Sequence, residues 1–349
     1  MQALPHLEIG GRRIAADAPT YVIAEIGVNH NGDAALAHKM IDAAKATGAD
    51  AVKFQTFRTE DLVLKSAAKA DYQNRTTGLG NQFDMLQNLE LPFGVFSELR
   101  DHCREVGIDF MSTAFDPHSL EHVASLSPVC LKWPSGELTN WPLLRRAKAT
   151  GLPIMLSTGM GSLHEIAAAM DLLGSDAKVV ILQCVSNYPA RIEDQNLRVL
   201  PVMQAAFGCP VGFSDHTIGP YAALAARALG MAVLEKHFTL DNTMEGPDHS
   251  ASIEPAEFTQ MVGLLRQIEE GLGDGVKRPR PSEENVRSVA RKSLVYRRDL
   301  PAGHVLSEDD LIGKRPGGGV GLDRIDLYTG RMLAQAVTTD QMLEPDHVR

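Results

Sequence analysis

The strongest constraint on this chain is an alternation of short apolar segments with amphipathic helices, which is repeated eight times. Several of these helices end at a glycine, for example Gly48 and Gly107, because glycine readily adopts the left-handed conformation that follows a last helical turn. Most of the apolar segments lack a polar face, as expected of strands buried on both sides of a parallel sheet. The predicted strands span residues 21–26, 51–56, 108–112, 129–133, 153–157, 179–184, 210–214 and 232–238.

Eight βα units predict an α/β fold, a (β/α)8 or TIM barrel within residues 1–272, in which all strand-to-helix loops share one rim. A doubly wound open sheet is the alternative, but it would not normally place polar residues at the ends of all its strands. A hairpin at residues 7–14, turning at Gly10 and Gly11, precedes the barrel. The connection after the second strand is unusually long, and we expect residues 65–83 to fold over the rim.

The composition changes after the barrel. Residues 271–281 are rich in glycine and then proline, which predicts an exposed linker at residues 273–290. Short β-like runs at residues 293–296 and 333–337, with a short helix at 308–311, predict a small β-rich domain at residues 291–349.

The formal net charge of −10 argues against a general affinity for nucleic acid or anionic membranes. The four cysteines are widely spaced and lie in apolar runs, so we expect them to be reduced and buried. The N-terminus lacks the pattern of a signal peptide, and no segment has the length and hydropathy of a membrane span. We therefore expect a cytoplasmic protein without a membrane or nucleic-acid partner.

Polar side chains lie at or just after the end of each predicted strand, and two of them are histidines on neighbouring strands. His216 and His237 can converge and suit Mn²⁺, Zn²⁺, Fe²⁺ or Co²⁺ with open coordination positions. Ser157 and Thr158 are interpreted as helix caps. The other polar residues at this rim are Glu25, Lys53, Gln55, Ser112, Thr113, Lys132, Ser135, Gln183, Ser186, Ser214, Asp215, Glu235 and Lys236.

Three kinds of group can then serve one anionic substrate. Carboxylates could complete the metal shell or act as general acid and base, lysines could bind phosphate or carboxylate, and serines could donate hydrogen bonds. A Schiff-base aldolase that uses one of the lysines is the competing chemistry. The groups concerned are the acids Glu25, Asp215, Glu235 and Asp248, the lysines Lys53, Lys132 and Lys236, and the serines Ser135, Ser186 and Ser214.

Several motifs together resemble the sialic acid synthase family over nearly the full chain, with a tail that resembles the family's antifreeze-like (SAF) domain. Lys314-Arg-Pro-Gly317 in this tail stands where the family keeps a substrate-binding arginine. The motifs are Ala24-Glu-Ile-Gly-Val-Asn-His-Asn-Gly32, Val52-Lys-Phe-Gln55, Lys132-Trp-Pro-Ser-Gly-Glu137, Ser157-Thr-Gly-Met160, Gly212-Phe-Ser-Asp-His-Thr217, Glu235-Lys-His-Phe-Thr239 and Gly246-Pro-Asp-His249.

The resemblance implies a metal-dependent condensation of phosphoenolpyruvate with N-acetylmannosamine or a related 2-acetamido or 2,4-diacetamido aldose. The products would be a nine-carbon 2-keto acid and phosphate, released by C–O cleavage. The implied metal is Mn²⁺, with Mg²⁺ or Co²⁺ as alternatives, and the implied assembly is a homodimer with exchanged SAF domains. Within the family, legionaminic and pseudaminic acid synthases remain alternatives, and a non-catalytic carbohydrate-binding protein is a more remote one.

The resemblance also implies a role for each site residue. His216 and His237 would bind the metal, and the catalytic group would comprise Glu25, Lys53 and Glu235. Arg315 would reach the sugar's N-acyl group in the partner subunit. The remaining substrate-binding residues would be Gln55, Thr113, Lys132, Ser135, Ser186, Tyr188, Ser214 and Asp248, with Ser186 standing where some members carry asparagine.

Overall fold

A computed structural model describes residues 4–349 and divides into two compact units, Met1–Gly273 and Asp274–Arg349. The first unit begins with the predicted hairpin, in which β1 (His6–Ile9) pairs antiparallel with β2 (Arg12–Ala15). Ile9 and Ile14 are buried against inward-facing barrel residues. The hairpin therefore packs on the interior of the barrel.

Eight parallel strands close into a barrel in chain order, and the last strand pairs with the first. This confirms the predicted TIM barrel and excludes the open sheet. The third strand extends beyond its predicted end at residue 112, because Thr113 still pairs with Lys132 on the neighbouring strand. The strands are β3 (Tyr21–Gly27), β4 (Ala51–Thr56), β5 (Asp109–Ala114), β6 (Leu131–Trp133), β7 (Ile154–Ser157), β8 (Val179–Cys184), β9 (Val211–Asp215) and β10 (Val233–His237).

The helices pack around the barrel and bury its outward-facing apolar side chains. Ser162 caps one of them in the predicted capping box, with its hydroxyl and backbone N–H both donating to Glu165. The helices of this unit are α1 (Ala34–Ala46), α2 (Thr59–Leu62), α3 (Asp71–Thr77), α4 (Gln82–Leu89), α5 (Phe93–Val106), α6 (Pro117–Ser125), α7 (Trp141–Ala149), α8 (Leu163–Leu173), α9 (Val199–Phe207), α10 (Tyr221–Ala228) and α11 (Pro255–Leu272).

The long connection after β4 is not a plain loop. It contains three short helices, α2, α3 and α4, before α5 completes the crossover. Asn81 accepts the backbone N–H of Asp84 and so caps α4. Met85 and Leu89 of α4 are buried with Val28 and Phe57, which attaches this segment to the rim of the barrel.

The second unit contains one helix, α12 (Glu284–Ala290), in addition to several 3-10 turns among the described residues. The prediction of a linker over residues 273–290 missed this helix, because Pro281 is favoured at the start of a helix and need not break one. β11 (Ser293–Tyr296) pairs antiparallel with β12 (Leu311–Lys314) around a core that includes Leu294 and Leu333.

Two details of this unit differ from the prediction. Residues 333–337 form only single bridges at Leu333 and Val337 and no continuous strand. The predicted helix at 308–311 is a 3-10 turn, Glu308–Asp310, and Leu311 already belongs to β12. Across residues 4–349, no helix combines the length and the apolar character needed to cross a bilayer.

Candidate active site

A cavity of about 400 Å³ lies at the carboxyl edge of the barrel strands. Each of the eight strands contributes to it, because the carboxyl ends of parallel barrel strands all meet at one rim. The cavity brings together every barrel residue to which the family resemblance assigns a role. These are Glu25, Lys53, Gln55, Thr113, Lys132, Ser135, Ser186, Tyr188, Ser214, His216, Glu235, His237 and Asp248.

Strand alternation decides which side chains reach the cavity. On β10, Glu235 and His237 line it, whereas Lys236 between them is absent from the lining. Lys236 is 2% exposed, and its Nζ donates to Asp215 Oδ2 at 2.8 Å and to Thr217 O at 2.7 Å. The expectation that Lys236 supplies positive charge to the substrate is therefore wrong, since alternate residues of a strand point to opposite faces of the sheet. Asp215, a candidate for the metal shell or for acid–base work, also does not line the cavity and pairs with Lys236 instead.

Two buried ion pairs occupy the floor of the cavity. Lys53 Nζ lies 2.8 Å from Glu25 Oε2 and donates to Thr113 Oγ1 at 2.9 Å. Lys132 Nζ lies 3.2 Å from Glu235 Oε1, which also accepts the Ser214 hydroxyl at 2.8 Å. Lys53 connects the two pairs, because its Nζ is 3.8 Å from Glu235 Oε2.

The two glutamates have opposite pKa shifts. Burial raises the pKa of Glu25 to about 7, although the charge of Lys53 opposes the shift. Burial would also raise the pKa of Glu235, but the charges of Lys132 and Lys53 and the Ser214 hydroxyl lower it to about 2. Near neutral pH one carboxyl group can exchange a proton while the other stays ionised, and such a division typically separates an acid–base residue from an electrostatic one.

The charge state of Lys53 also bears on the competing chemistry. Burial would lower the pKa of Lys53, but the carboxylates of Glu235 and Glu25 raise it above its ordinary value. A Schiff-base lysine needs a lowered pKa so that the neutral amine can attack a carbonyl. The geometry therefore argues against Lys53 as the nucleophile of an aldolase.

The two histidines have the protonation state that a metal ligand needs. His216 Nδ1 lies 2.7 Å from the carbonyl oxygen of Val185, which can only accept, so Nδ1 carries the proton and Nε2 keeps a lone pair. His237 Nδ1 is buried and has no hydrogen-bond partner among residues 4–349. Burial lowers the pKa of His216 to about 4 and that of His237 well below its ordinary value.

These features fit a metal site with only two protein ligands. The ring centroids of His216 and His237 are 5.5 Å apart. In the described part of the chain, no group of three or more His, Cys, Asp and Glu side chains is arranged to hold a metal ion. A cation bound by the two imidazoles would therefore keep positions for substrate or water, as catalytic sites do and structural zinc sites do not.

The side of the cavity next to the histidines carries aromatic and acidic groups. The Tyr188 ring centroid lies 4.2 Å from that of His216 and 5.3 Å from that of His237. Asp248 Oδ2 is 3.9 Å from His237 Nδ1, and burial raises the pKa of Asp248 to about 6. Tyr72 of α3 also lines the cavity, and its ring centroid lies 5.3 Å from that of Tyr188. This position confirms that the long segment after β4 folds over the site.

Another part of the cavity carries a cluster of hydroxyl groups. The Gly159 N–H donates to Ser135 Oγ at 2.9 Å, and a Cβ atom at Gly159 would lie 2.4 Å from Ser186 Oγ. Ser157 Oγ is buried without a partner among the described residues. The interpretation of Ser157 as a helix cap is wrong, because α8 is capped by Ser162.

Sequence reasoning missed Gly159, Cys184 and Tyr72 as well as Ser157 as part of this site. Ser157 could have been found, because it stands two residues after the inward-facing Met155. Arg315 is the one predicted site residue outside the barrel unit. It is exposed in the second unit, where its Nε donates to Ala290 O at 3.0 Å.

Comparison with known proteins agrees with the resemblance drawn from the motifs. A model of the NeuB family matches residues 40–277, and a model of the SAF domain matches residues 291–349. N,N'-diacetyllegionaminic acid synthase of Legionella pneumophila is 42% identical over 335 residues, covering 94% of each chain. The synthase of the same name from Campylobacter jejuni is 41% identical over 329 residues, covering 93% of this chain and 98% of its own.

The chain is also similar in fold to a solved structure. The crystal structure of N-acetylneuraminic acid (sialic acid) synthetase from Leptospira borgpetersenii, in complex with citrate, superposes with a TM-score of 0.73 at 30% identity. The match covers 82% of this chain and 96% of that one. The chain therefore belongs to the NeuB family of synthases and carries a SAF domain at residues 291–349.

Proposed function

We propose that the protein condenses phosphoenolpyruvate with N-acetylmannosamine or a related 2-acetamido or 2,4-diacetamido aldose. The products are a nine-carbon 2-keto acid and inorganic phosphate. The observation that carries this proposal is one cavity in which buried lysines, a hydroxyl cluster and two neutral imidazoles adjoin one another. The names of the related synthases support an acylated aminosugar as the second substrate.

The hydroxyl side of the cavity suits phosphoenolpyruvate. Ser135, Ser157 and Ser186 can donate to phosphate oxygens, and Ser157 has no competing partner in the described chain. Lys132 and Thr113 adjoin this cluster and can bind the carboxylate or phosphate through charge-assisted hydrogen bonds. Ser214 is already held by Glu235, so it reaches phosphate only by reorienting its hydroxyl.

His216 and His237 would hold a divalent cation, for which we propose Mn²⁺, with Mg²⁺ or Co²⁺ as alternatives. When bound, such a cation would polarise the aldehyde of the open-chain sugar and position the water that takes part in the reaction. Tyr188 covers both imidazoles, and together with Gln55 and Asp248 it lies where the sugar would meet the metal.

The side chains of the site then transfer protons and stabilise charge during the reaction. C3 of phosphoenolpyruvate forms a bond to the aldehyde carbon, whose oxygen takes up a proton, and water adds at C2 with loss of a proton. The bond between C2 and the phosphate-bearing oxygen then breaks, the hydroxyl group that came from water loses its proton to become the C2 keto oxygen, and phosphate leaves with a proton. Glu25, with a pKa of about 7 and a direct contact to Lys53, can exchange one of these protons, whereas ionised Glu235 holds Lys132 and Lys53 in place.

We further propose a homodimer in which Arg315 of the partner subunit binds the sugar's N-acyl group. The described residues that line the cavity include no arginine. A guanidinium from a second chain would therefore add a group that the barrel itself does not supply.

The proposal is tested by incubating the purified protein with phosphoenolpyruvate, Mn²⁺ and each candidate sugar in turn. We expect equal amounts of phosphate and 2-keto acid with at least one sugar, and loss of both after chelation. Sugar binding without phosphate release, unaffected by chelation, would instead indicate a carbohydrate-binding protein. Comparing N-acetylmannosamine with 2,4-diacetamido-trideoxy sugars distinguishes a neuraminic from a legionaminic or pseudaminic acid synthase.

A further inference from the structure

The motif Asn29-His-Asn-Gly32 follows β3, yet none of these residues lines the cavity of the proposed reaction. Two of its side chains instead bind the loop after β10, more than 200 residues away in sequence. That loop, residues 239–252, carries Asp248 to the cavity. The contacts between the two loops suggest a function for the motif.

Asn29 holds the base of the loop. Its side chain is fully buried, and its Nδ2 donates to Phe238 O and to Ser252 Oγ, both at 2.9 Å. The Ser252 hydroxyl in turn donates to the carbonyl oxygen of Asp248 at 2.7 Å. A hydrogen-bonded chain therefore runs from Asn29, just after β3, to the backbone of Asp248 itself.

Asn31 holds the tip of the loop. Its Nδ2 donates to Glu245 O at 2.9 Å, which fixes the orientation of the amide because a carbonyl oxygen can only accept. Its Oδ1 must then accept from His249 Nε2, at 3.2 Å. Asn31 has φ of 51°, a left-handed conformation that asparagine tolerates better than most residues.

These contacts also determine the tautomer of His249. Since Nε2–H donates to Asn31, the Nδ1 of a neutral ring keeps a lone pair and accepts the Thr239 hydroxyl at 2.7 Å. Thr239 and His249 are both fully buried. Gly246 allows the close packing, because a Cβ atom there would lie 2.6 Å from His249 Cδ2 and 2.9 Å from Asn31 Oδ1.

We infer that Asn31, His249 and Thr239 form a latch that positions Asp248 for the aminosugar. This inference rests on the proposed function for the identity of the ligand. The three latch residues do not line the reaction cavity, so they are positioning residues. They act on the sugar through the loop after β10, residues 239–252, which carries Asp248.

The sharpest test replaces Thr239 with valine. This change keeps the shape of the side chain but removes the hydroxyl group that donates to His249 Nδ1. We expect the KM for the aminosugar to rise about fivefold, the change that one net hydrogen bond produces, while the KM for phosphoenolpyruvate stays the same. Thr239→Ser should restore the wild-type KM. Asn31→Gly, which keeps the left-handed backbone accessible, should act like Thr239→Val.

Two reference variants complete the set. Asp248→Asn should raise the KM for the sugar at least as much as Thr239→Val does. Asn242→Ala should change nothing, because the Asn242 side chain is exposed in the same loop and makes no hydrogen bond to the described residues. A purely structural role for Thr239 would lower the melting temperature without separating the two KM values, and that result would overturn the latch.

Hydrogen exchange tests the latch without relying on turnover. Amides of residues 239–252 should exchange faster in Thr239→Val and Asn31→Gly than in the wild type, while barrel amides remain protected. Unchanged exchange in this loop would refute the latch even if the enzyme is active. A wild-type protein that makes no 2-keto acid with any sugar would refute the proposed function, and exchange in the loop would then decide about the latch alone.

Discussion

Replacing Lys132 with methionine removes one charge from a buried ion pair and keeps most of the apolar stem. Glu235 is the one carboxylate that Lys132 contacts in the described chain, at 3.2 Å, and Lys132 is 4% exposed. The fall in the pKa of Glu235 from 4.5 to about 2 corresponds to about 3 kcal/mol of stability. Lys132 makes the largest of several favourable contributions to that fall, and removing one partner of a buried ion pair typically costs about 3–5 kcal/mol. We therefore expect Lys132→Met to lose about 3 kcal/mol.

The pH of the measurement follows from the direction of the shift. Because the pKa of Glu235 is lower in the folded state, its stabilisation is present above pH 4.5 and is lost as the pH falls toward 2. Urea unfolding at pH 7 therefore measures the full effect. Trp133 and Trp141, the two tryptophans of the chain, both belong to the barrel unit, so their fluorescence reports on its unfolding.

A double-mutant cycle separates charge from packing. Glu235→Gln alone leaves Lys132 unpaired, whereas Lys132→Met with Glu235→Gln removes both charges and should cost less than the sum by at least about 1 kcal/mol. Lys39→Met, an exposed lysine of α1, should change stability by less than about 0.5 kcal/mol. A loss below about 1 kcal/mol for Lys132→Met, or strict additivity in the cycle, would refute the reasoning.

Three further predictions concern the metal, the sugar and proton exchange. His237→Ala should lose tightly bound Mn²⁺ in elemental analysis after dialysis; retention of one equivalent would remove His237 from the ligands. Arg315→Ala should raise the KM for the aminosugar more than that for phosphoenolpyruvate, and an equal rise would argue against a sugar contact. The raised pKa of Glu25 contributes stability below pH 4.5 that is lost as the pH rises through about 7. The stability of Glu25→Gln relative to wild type should therefore increase between pH 5 and pH 8 in urea titrations, and a constant difference would contradict the shift.

The sequence predicts the barrel and most of the cavity because both depend on where strands end. Glu25, Lys53, Thr113 and His237 are polar residues at the ends of apolar runs, and parallel strands bring those positions to one rim. No knowledge of the exact register was needed, since the barrel order follows the chain order. The long segment over the site was predicted from its length, although its three helices were not.

The wrong predictions concern which side chains of a barrel strand point inward and which point outward. Barrel strands are apolar on both sides, so hydrophobic alternation does not show which residues point inward. Glu235 and Lys236 are neighbours in one such strand, yet one lines the cavity and the other pairs with Asp215 behind the sheet. The wrong interpretation of Ser157 as a helix cap has the same cause. The sequence does not show which residues of β7 point inward, and a hydroxyl group at the end of a strand is also typical of the start of a helix.

The division of roles between the glutamates depends on distances that no local pattern contains. Glu25 and Glu235 are both buried and lie on adjacent strands, and Lys53 contacts both. Of the two glutamates, Lys132 and Ser214 contact only Glu235, and together with the charge of Lys53 these contacts outweigh the effect of burial on its pKa. Glu25 lacks them and keeps a pKa near neutrality. The sequence left open which glutamate exchanges protons, and the position of one lysine now favours Glu25.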